Sequence, residues 1–396
     1  MSEATGDGVA LPRPQDIVAR DLCRRLALEI VAPIAREADV ERVFPAAAVR
    51  ALAAEGILGA ALPTARGGLG WDALQLSHLY EEFGRVDQSV RGFLSVHLGL
   101  VSQCLHEFAA EAQAAHWLPR LASGEIFGAY ALTEEGAGSD AAAIATVAEA
   151  DGDGWRLRGE KVWITNGLSA GLFIVFATVD PALRHKGVTA FLVPGDADGL
   201  SRERMSGVEL GHRSSEHARL RFDGVHVARD QVVGEVGGGF KVAMGGLDHG
   251  RIGVAAGAVG TLQACLDAAI VFGRARRQFG KRIADFQMVQ QRIADMATDT
   301  DAARLLTRRA ALLAVHGAER TKEVSMAKLF ATEAACKWSA ETVLLLGSRG
   351  YVNESPVERH YRDAPGLRIY EGTNLIQRIV IARALVGKDT RQGATS

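Results

Sequence analysis

The spacing of apolar residues changes twice along this chain, and the two changes exclude any single repeating architecture. From about Pro14 to Gly124 apolar residues recur every three or four positions, as at Leu26, Ile30, Ile34 and Ala35. That period predicts amphipathic helices. Pro45 followed by Ala46 to Gly56 reads as one of them, with proline in its first turn and glycine at its end. Gly67-Gly68-Leu69-Gly70 interrupts the regime as a tight loop. From about Phe127 to Val233 the pattern becomes that of strands. Trp155-Arg156-Leu157-Arg158 alternates apolar with polar, Leu172–Phe176 and Val188–Val193 are β-branched or aromatic runs, and Ala218–Phe222 alternates before Asp223-Gly224, a turn signal. From about Gly239 proline is absent until Pro356, and Arg292–Met296 and Ala302–Leu306 fit long amphipathic helices. The order of helices, β structure and helices predicts an α+β chain. Its parts are an N-terminal helical domain (14–126), a β domain (127–235) built as an antiparallel barrel or sandwich, and a C-terminal helical domain (236–388).

The chain has 396 residues, 48% hydrophobic and 23% charged, enough for two or three packed domains. A net charge of −2 provides no positive field to hold nucleic acid, so Arg274, Arg276 and Arg277 need a local explanation such as a phosphate or a carboxylate. Cys23, Cys104, Cys265 and Cys336 lie far apart and form no CxxC pair, which points to a reducing compartment, small buried apolar roles, no disulfide framework and no zinc or other metal site. Met1 to Val9 carries Glu3 and Asp7 and no apolar core segment, and so reads as a short disordered lead-in and not a targeting signal. No uninterrupted apolar run approaches membrane-spanning length. These features predict a soluble cytoplasmic protein that binds neither nucleic acid nor membrane.

No P-loop, HExxH or GxSxG element is present, and Gly234-Glu235-Val236-Gly237-Gly238-Gly239 has no βαβ setting and reads as a loop before a helix. Four other stretches carry information together. They are Tyr130-Ala131-Leu132-Thr133-Glu134-Glu135-Gly136-Ala137-Gly138-Ser139-Asp140; Lys161-Val162-Trp163-Ile164-Thr165-Asn166-Gly167; Arg276-Arg277-Gln278-Phe279-Gly280-Lys281 with Gln287; and Ile369-Tyr370-Glu371-Gly372-Thr373-Asn374 with Gln377-Arg378. Each alone has a structural reading: a Gly/Ser turn, a core tryptophan, a solvated basic helix face, an exposed loop glutamate. In order and together they resemble the signature segments of acyl-CoA dehydrogenases, and the resemblance runs to about Gly387. It implies helical N-terminal, β-barrel and C-terminal four-helix-bundle domains.

The resemblance also implies roles. Tyr130, Leu132, Thr133, Gly138 and Ser139 match the loop that contacts FAD, with Ser139 also touching the acyl thioester. Trp163, Ile164 and Thr165 match the strand end that packs on the flavin, where an indole offers an apolar face and a hydroxyl a hydrogen bond. Arg276, Gln278, Phe279 and Gln287 match the stretch that reaches the FAD of a neighbouring subunit, arginine suiting a pyrophosphate through its planar fork. Gly347 and Ser348 belong to the same crossing site, and Thr373 and Asn374 complete the cofactor set. Leu344 and Arg349 depart from the family pattern there, so one polar cofactor contact is expected to be lost and Arg349 is a candidate to supply another. Cross-subunit contacts imply a homodimer or homotetramer.

Removing the proton next to a thioester carbonyl needs a base near that carbon. A carboxylate in an apolar pocket suits the task because desolvation raises its pKa toward that of the carbon acid. By resemblance that base is Glu371, flanked by Tyr370 and Gly372, with the flavin N5 taking the β-hydride. Some relatives place the base on the helix near Leu247-Asp248-His249-Gly250-Arg251, but the matching residue here is Gly250, which cannot act. Asp248 and Arg251 match residues on the pantetheine side of the pocket, and the Glu371 N–H with a ribityl hydroxyl would polarise the thioester carbonyl.

The acyl group is less defined. Arg91, within Asp87–His97, resembles an arginine that grips the distal carboxylate in glutaryl-CoA dehydrogenases, and a similar Ser-Val-Arg run occurs in dehydrogenases of carrier-protein-bound hydroxyacyl groups used as polyketide extender units. Pairing with Asp87 or Glu82 would instead make Arg91 structural, and His97 reads as a core histidine satisfied by backbone. Three functions follow: α,β-dehydrogenation of a short acyl-CoA, oxidation of an acidic or hydroxylated acyl group on an acyl carrier protein, and a flavin oxygenase. Glu371 argues against the last. An electron-transferring flavoprotein is the partner that the resemblance implies for reoxidation.

Overall fold

The computed structural model describes residues 13–387; the N-terminal lead-in and the far C-terminal boundary at 388 lie outside it. The N-terminal region folds as α1 (Pro14–Leu26), α2 (Ala32–Glu41), α3 (Ala46–Ala54), α4 (Ala73–Val86), α5 (Gln88–Leu94), α6 (Gln103–Phe108) and α7 (Glu111–Ala122). Asp72 caps α4 by accepting from the Leu74 and Gln75 amides, while Gln75 accepts from the Asp72 amide, so the orphan donors of the first turn are satisfied. Between α5 and α6, Ser95–Ser102 widens to a π-helical turn, a local strain that is common beside functional sites.

The middle of the chain forms β1 (Gly128–Ala131), β2 (Val147–Asp151), β3 (Gly154–Thr165), β4 (Leu172–Thr178), β5 (Val188–Pro194), β6 (Leu200–Arg204), β7 (His217–Ala228) and β8 (Val232–Val233). Their order is β6-β7-β3-β2-β4-β5-β8, with β1 beside β4. The expected closed antiparallel barrel is therefore corrected to an open, mixed sheet: β1 runs parallel to β4, and the end strands β6 and β8 do not pair with each other. Closure fails because β8 is only two residues long before the chain leaves for the next helix. The continuous apolar run of β4 is explained by burial on both faces, since Ile174 and Phe176 pack toward the helices while Phe173 and Val175 face the opposite core. Asp223-Gly224 is not a turn. Gly224, at φ +71°, is the extra residue of a bulge within β7, where the register with β3 shifts between Leu157 and Arg158.

The C-terminal region contains α8 (Gly239–Ala275), a hairpin of β9 (Arg277–Gln278) and β10 (Lys281–Arg282), α9 (Gln287–Val315), α10 (Thr321–Leu346), α11 (Pro356–Leu367) and α12 (Asn374–Val386). Three long helices pack pairwise, α4 lies along α8, and the two short helices pack on α10. The C-terminal domain is helical as expected, and its central helix is shared with the N-terminal region through α4. The stretch Arg276–Lys281 turns back through Phe279 and Gly280, both at positive φ, so it is a hairpin tip and not a helix face. One described helix, α8, is long and apolar enough by mean hydropathy to cross a membrane, but polar residues interrupt it and 67% of its most apolar stretch is buried inside the protein. It is the central core helix.

Candidate active site

A cavity of about 130 Å³ opens where the three regions meet. Its walls include Arg91, Ser95, Leu132, Thr133, Trp163, Ile164, Thr165, His212, Tyr370 and Glu371. Each wall has a local cause. Leu132 and Thr133 follow β1 in a loop pinned from behind by Lys161, whose fully buried Nζ donates to the Leu132 carbonyl at 3.0 Å and to Glu134 Oε1 at 2.6 Å. Trp163 sits at φ +59° where β3 breaks register with β7, and this break leaves its indole half-exposed beside the cavity. Tyr130 also lines the cavity, but its hydroxyl donates to the Ala243 carbonyl at 3.1 Å and so ties β1 to α8.

Glu371 lies between α11 and α12 at φ +59°, followed by Gly372 at φ +85°. Left-handed backbone is unfavourable for a glutamate, so the surroundings must impose it. They do so at the carbonyls. The Glu371 carbonyl accepts from Arg251 Nε at 3.0 Å, and the Gly372 carbonyl accepts from Lys328 Nζ and Gln377 Nε2, each at 3.0 Å. The carboxyl group itself is buried, and its Oε2 has no hydrogen-bond partner. Burial pushes its pKa up to about 7, against the opposing pull of Arg251, Arg91 and Lys328. A carboxyl poised near neutrality can take a proton from carbon and release it again.

Arg91 is 1% exposed and reaches the cavity from α5. Its Nε donates to Gln88 Oε1 at 2.8 Å and its Nη2 to the Tyr370 hydroxyl at 2.5 Å. Neither structural partner considered from the sequence holds it, because Glu82 bonds Arg24 and Asp87 faces Arg359. Among the described residues no carboxylate lies within 4.0 Å of this guanidinium. Ser95, in the widened turn, adds a buried hydroxyl without a partner. The cavity is thus lined by a buried guanidinium and an unpartnered hydroxyl as well as by the Glu371 carboxyl.

Other residues singled out in the sequence fall elsewhere. Gly138 and Ser139 are exposed and do not line the cavity. Asp248 pairs with Arg251 at 3.0 Å, and Arg251 holds the Glu371 carbonyl, so both brace the loop. The Thr373 hydroxyl caps α12, and the Asn374 amide bonds Lys328, Thr332 and Glu333. Arg276, Gln278, Gly347 and Ser348 line a separate open hollow together with Arg349, while Phe279 lines an adjoining one with Leu344. Gln287, exposed at the start of α9, lies in neither. His97 is a core residue: Nε2 contacts the Leu121 carbonyl and Nδ1 receives the Gly128 amide. Sequence reasoning missed His212, Ser215 and Lys328. A His-Arg-Ser-Ser run in the β region was the signal for the first two, and a lysine inside an apolar helical stretch for the third.

Comparison with known proteins matches this geometry. The acyl-CoA dehydrogenase N-terminal, middle and C-terminal domain models match residues 14–125, 129–225 and 237–386. The human short-chain specific acyl-CoA dehydrogenase is 42% identical over 378 residues, covering 96% of this chain and 91% of the relative. Butyryl-CoA dehydrogenase from Megasphaera elsdenii superposes with a TM-score of 0.93 at 34% identity, covering 96% of this chain and all of the other. A glutaryl-coenzyme A dehydrogenase bound to glutaryl-CoA gives a TM-score of 0.92 at 35% identity, covering 96% and 97%. Three domain models in register, and a carboxylate held where three of the four signature segments converge, make this chain a member of the acyl-CoA dehydrogenase family.

Proposed function

We propose that this protein is an FAD-dependent dehydrogenase that introduces an α,β double bond into a short acyl thioester of coenzyme A, with Glu371 as the base. The observation that carries the reading is the buried, unpartnered Glu371 carboxylate facing a cavity of short-acyl size. The cavity fits the cofactor: Trp163 offers an uncovered apolar platform, and neither the Thr133 nor the Thr165 hydroxyl bonds another described residue. Those three residues, with Leu132 and Ile164, would hold the flavin ring. Bound FAD supplies the acceptor for the hydride that leaves the β-carbon. Glu371 accepts the α-proton, so the thioester loses one proton and one hydride and gains one carbon–carbon double bond. The apolar walls exclude water, and the Glu371 N–H, oriented by the carbonyl bonds on the other side of the turn, stabilises the developing enolate oxygen.

A second reading is favoured by Arg91 and Ser95. A buried guanidinium with no carboxylate partner suits an acyl chain that ends in a carboxylate or hydroxyl, carried on coenzyme A or on an acyl carrier protein. The hollow lined by Arg276, Gln278, Gly347, Ser348 and Arg349 supports service to a neighbouring subunit's FAD, in a homodimer or homotetramer. Reoxidation by an electron-transferring flavoprotein and a reducing cytoplasmic setting complete the proposal. The test is anaerobic addition of butyryl-CoA, glutaryl-CoA and the matching carrier-protein thioesters to the yellow protein. Bleaching of the flavin by butyryl-CoA supports the first reading, selective bleaching by glutaryl or carrier-bound thioesters the second, and no bleaching by any of them overturns both.

A further inference from the structure

Lys328 lies on the inner face of α10, is 0% exposed, and has no carboxylate oxygen within 4.0 Å among the described residues. A buried ammonium without an ion pair is costly to maintain and marks a function or a strong local requirement. Its two hydrogen bonds show what it does locally. Nζ donates to the Gly372 carbonyl at 3.0 Å and to Asn374 Oδ1 at 2.8 Å. It therefore grips the chain immediately after the base from one side, while the unpartnered Glu371 carboxylate projects from the other.

Beside Lys328 the surroundings of the base hold one neutral donor and two guanidinium groups. Gln377, on α12, donates to both the Glu371 and Gly372 carbonyls, at 3.3 and 3.0 Å. Arg251, on α8, holds the Glu371 carbonyl but is balanced by Asp248. Arg91, on α5, is drawn toward Gln88 and Tyr370. Tyr80 of α4 and Tyr370 face the same space, Glu333 of α10 lies between Arg368 and Arg378, and Arg368 completes the charged surroundings of the ammonium. Lys328 is thus the cation that holds the carbonyl following the base, and it acts on Glu371 together with Arg251 and Arg91.

We propose that Lys328 is a positioning residue for the base: its ammonium locks the left-handed Glu371–Gly372 turn through the Gly372 carbonyl and adds to the positive charge of Arg251 and Arg91 that favours the ionised Glu371. The inference rests on the reading of Glu371 as the base. Burial pulls the Lys328 pKa down to about 7, so its charge is itself sensitive to the field of Glu371, and the two groups titrate as neighbours.

The test compares Lys328→Met, Lys328→Gln and Lys328→Arg in the FAD-loaded protein. Glutamine removes the charge but keeps a donor for the Gly372 carbonyl, so it carries the test if the methionine variant does not fold. One readout needs no substrate: the infrared carboxyl band that disappears in Glu371→Gln is titrated against pH. Its midpoint is expected to rise by about one unit in the neutral variants and to stay in place in Lys328→Arg. The second readout is the pH profile of flavin reduction, expected to move the same way, with KM changed little. An unmoved infrared midpoint in Lys328→Gln overturns the proposal, even where the native protein is reduced normally by thioester. A native protein that no thioester reduces defeats the functional reading while leaving the infrared result to stand.

Discussion

The Glu371 carboxylate occupies the space that a side chain at Gly250 would need: a Cβ built on Gly250 lies 2.5 Å from Glu371 Oε2 and 2.6 Å from its Cδ. Position 250 on α8 and Glu371 in the loop before α12 therefore address one point in space from two walls. Here the glycine makes room and the glutamate fills it. Gly250→Ala is expected to push the carboxylate out of line and to slow flavin reduction at least about 100-fold, with FAD retained. Stopped-flow reduction of the alanine variant at the native rate would separate the two residues.

The pH profile follows from the same burial. Glu371 accepts a proton only when ionised, and its pKa is pushed up to about 7. Flavin reduction at saturating thioester is therefore expected to fall about tenfold per pH unit below that midpoint and to level off above it. A profile flat between pH 5 and pH 8, measured against a substrate with no titrating group there, would contradict the assignment.

Stability runs the other way. The folded-state pKa of Glu371 lies above the unfolded value of 4.5, so the native state holds its proton more tightly. Below about pH 4.5 both states are protonated and the group contributes nothing; as pH rises from about 4.5 to about 7 the native state is progressively destabilised, and the loss is complete above that. Glu371→Gln removes that cost. It is expected to raise stability by roughly 3 kcal/mol above pH 7, with the gain vanishing near pH 4.5. Thermal melts of both proteins across this range check the slope.

Arg91 gives a prediction about selectivity. If its guanidinium serves the acyl terminus, Arg91→Met is expected to weaken reduction by a carboxylated thioester at least about tenfold more than reduction by butyryl-CoA. Equal losses on both would assign Arg91 to holding Tyr370, whose hydroxyl accepts its Nη2.

Much of this was legible in the sequence because local period and local chemistry agree with the fold. The apolar run at Leu172–Phe176 became β4, and Pro45–Gly56 became α3 and its terminating turn. The Glu371 and Trp163 segments converge on one cavity. What was not legible depends on long-range pairing. Asp223-Gly224 has turn chemistry, yet the long partner strand β3 carries the chain through it as a bulge. Sheet closure depends on whether β6 meets β8, and no local pattern reports that. The bond from Lys328 to the Asn374 amide oxygen joins residues 46 apart, and no local motif reports it. Lys328 was passed over because a lysine on a helix is ordinarily solvated; its apolar flanks were the one hint, and packing shows that it is buried.

The central claim is that Glu371 removes the α-proton. Its most direct test is rapid anaerobic mixing of butyryl-CoA with the native protein and with Glu371→Gln, both loaded with FAD, while the flavin absorbance is followed. The account predicts prompt bleaching in the native protein and bleaching slowed at least about 100-fold in the variant. A Glu371→Gln protein whose flavin bleaches at the native rate would contradict it.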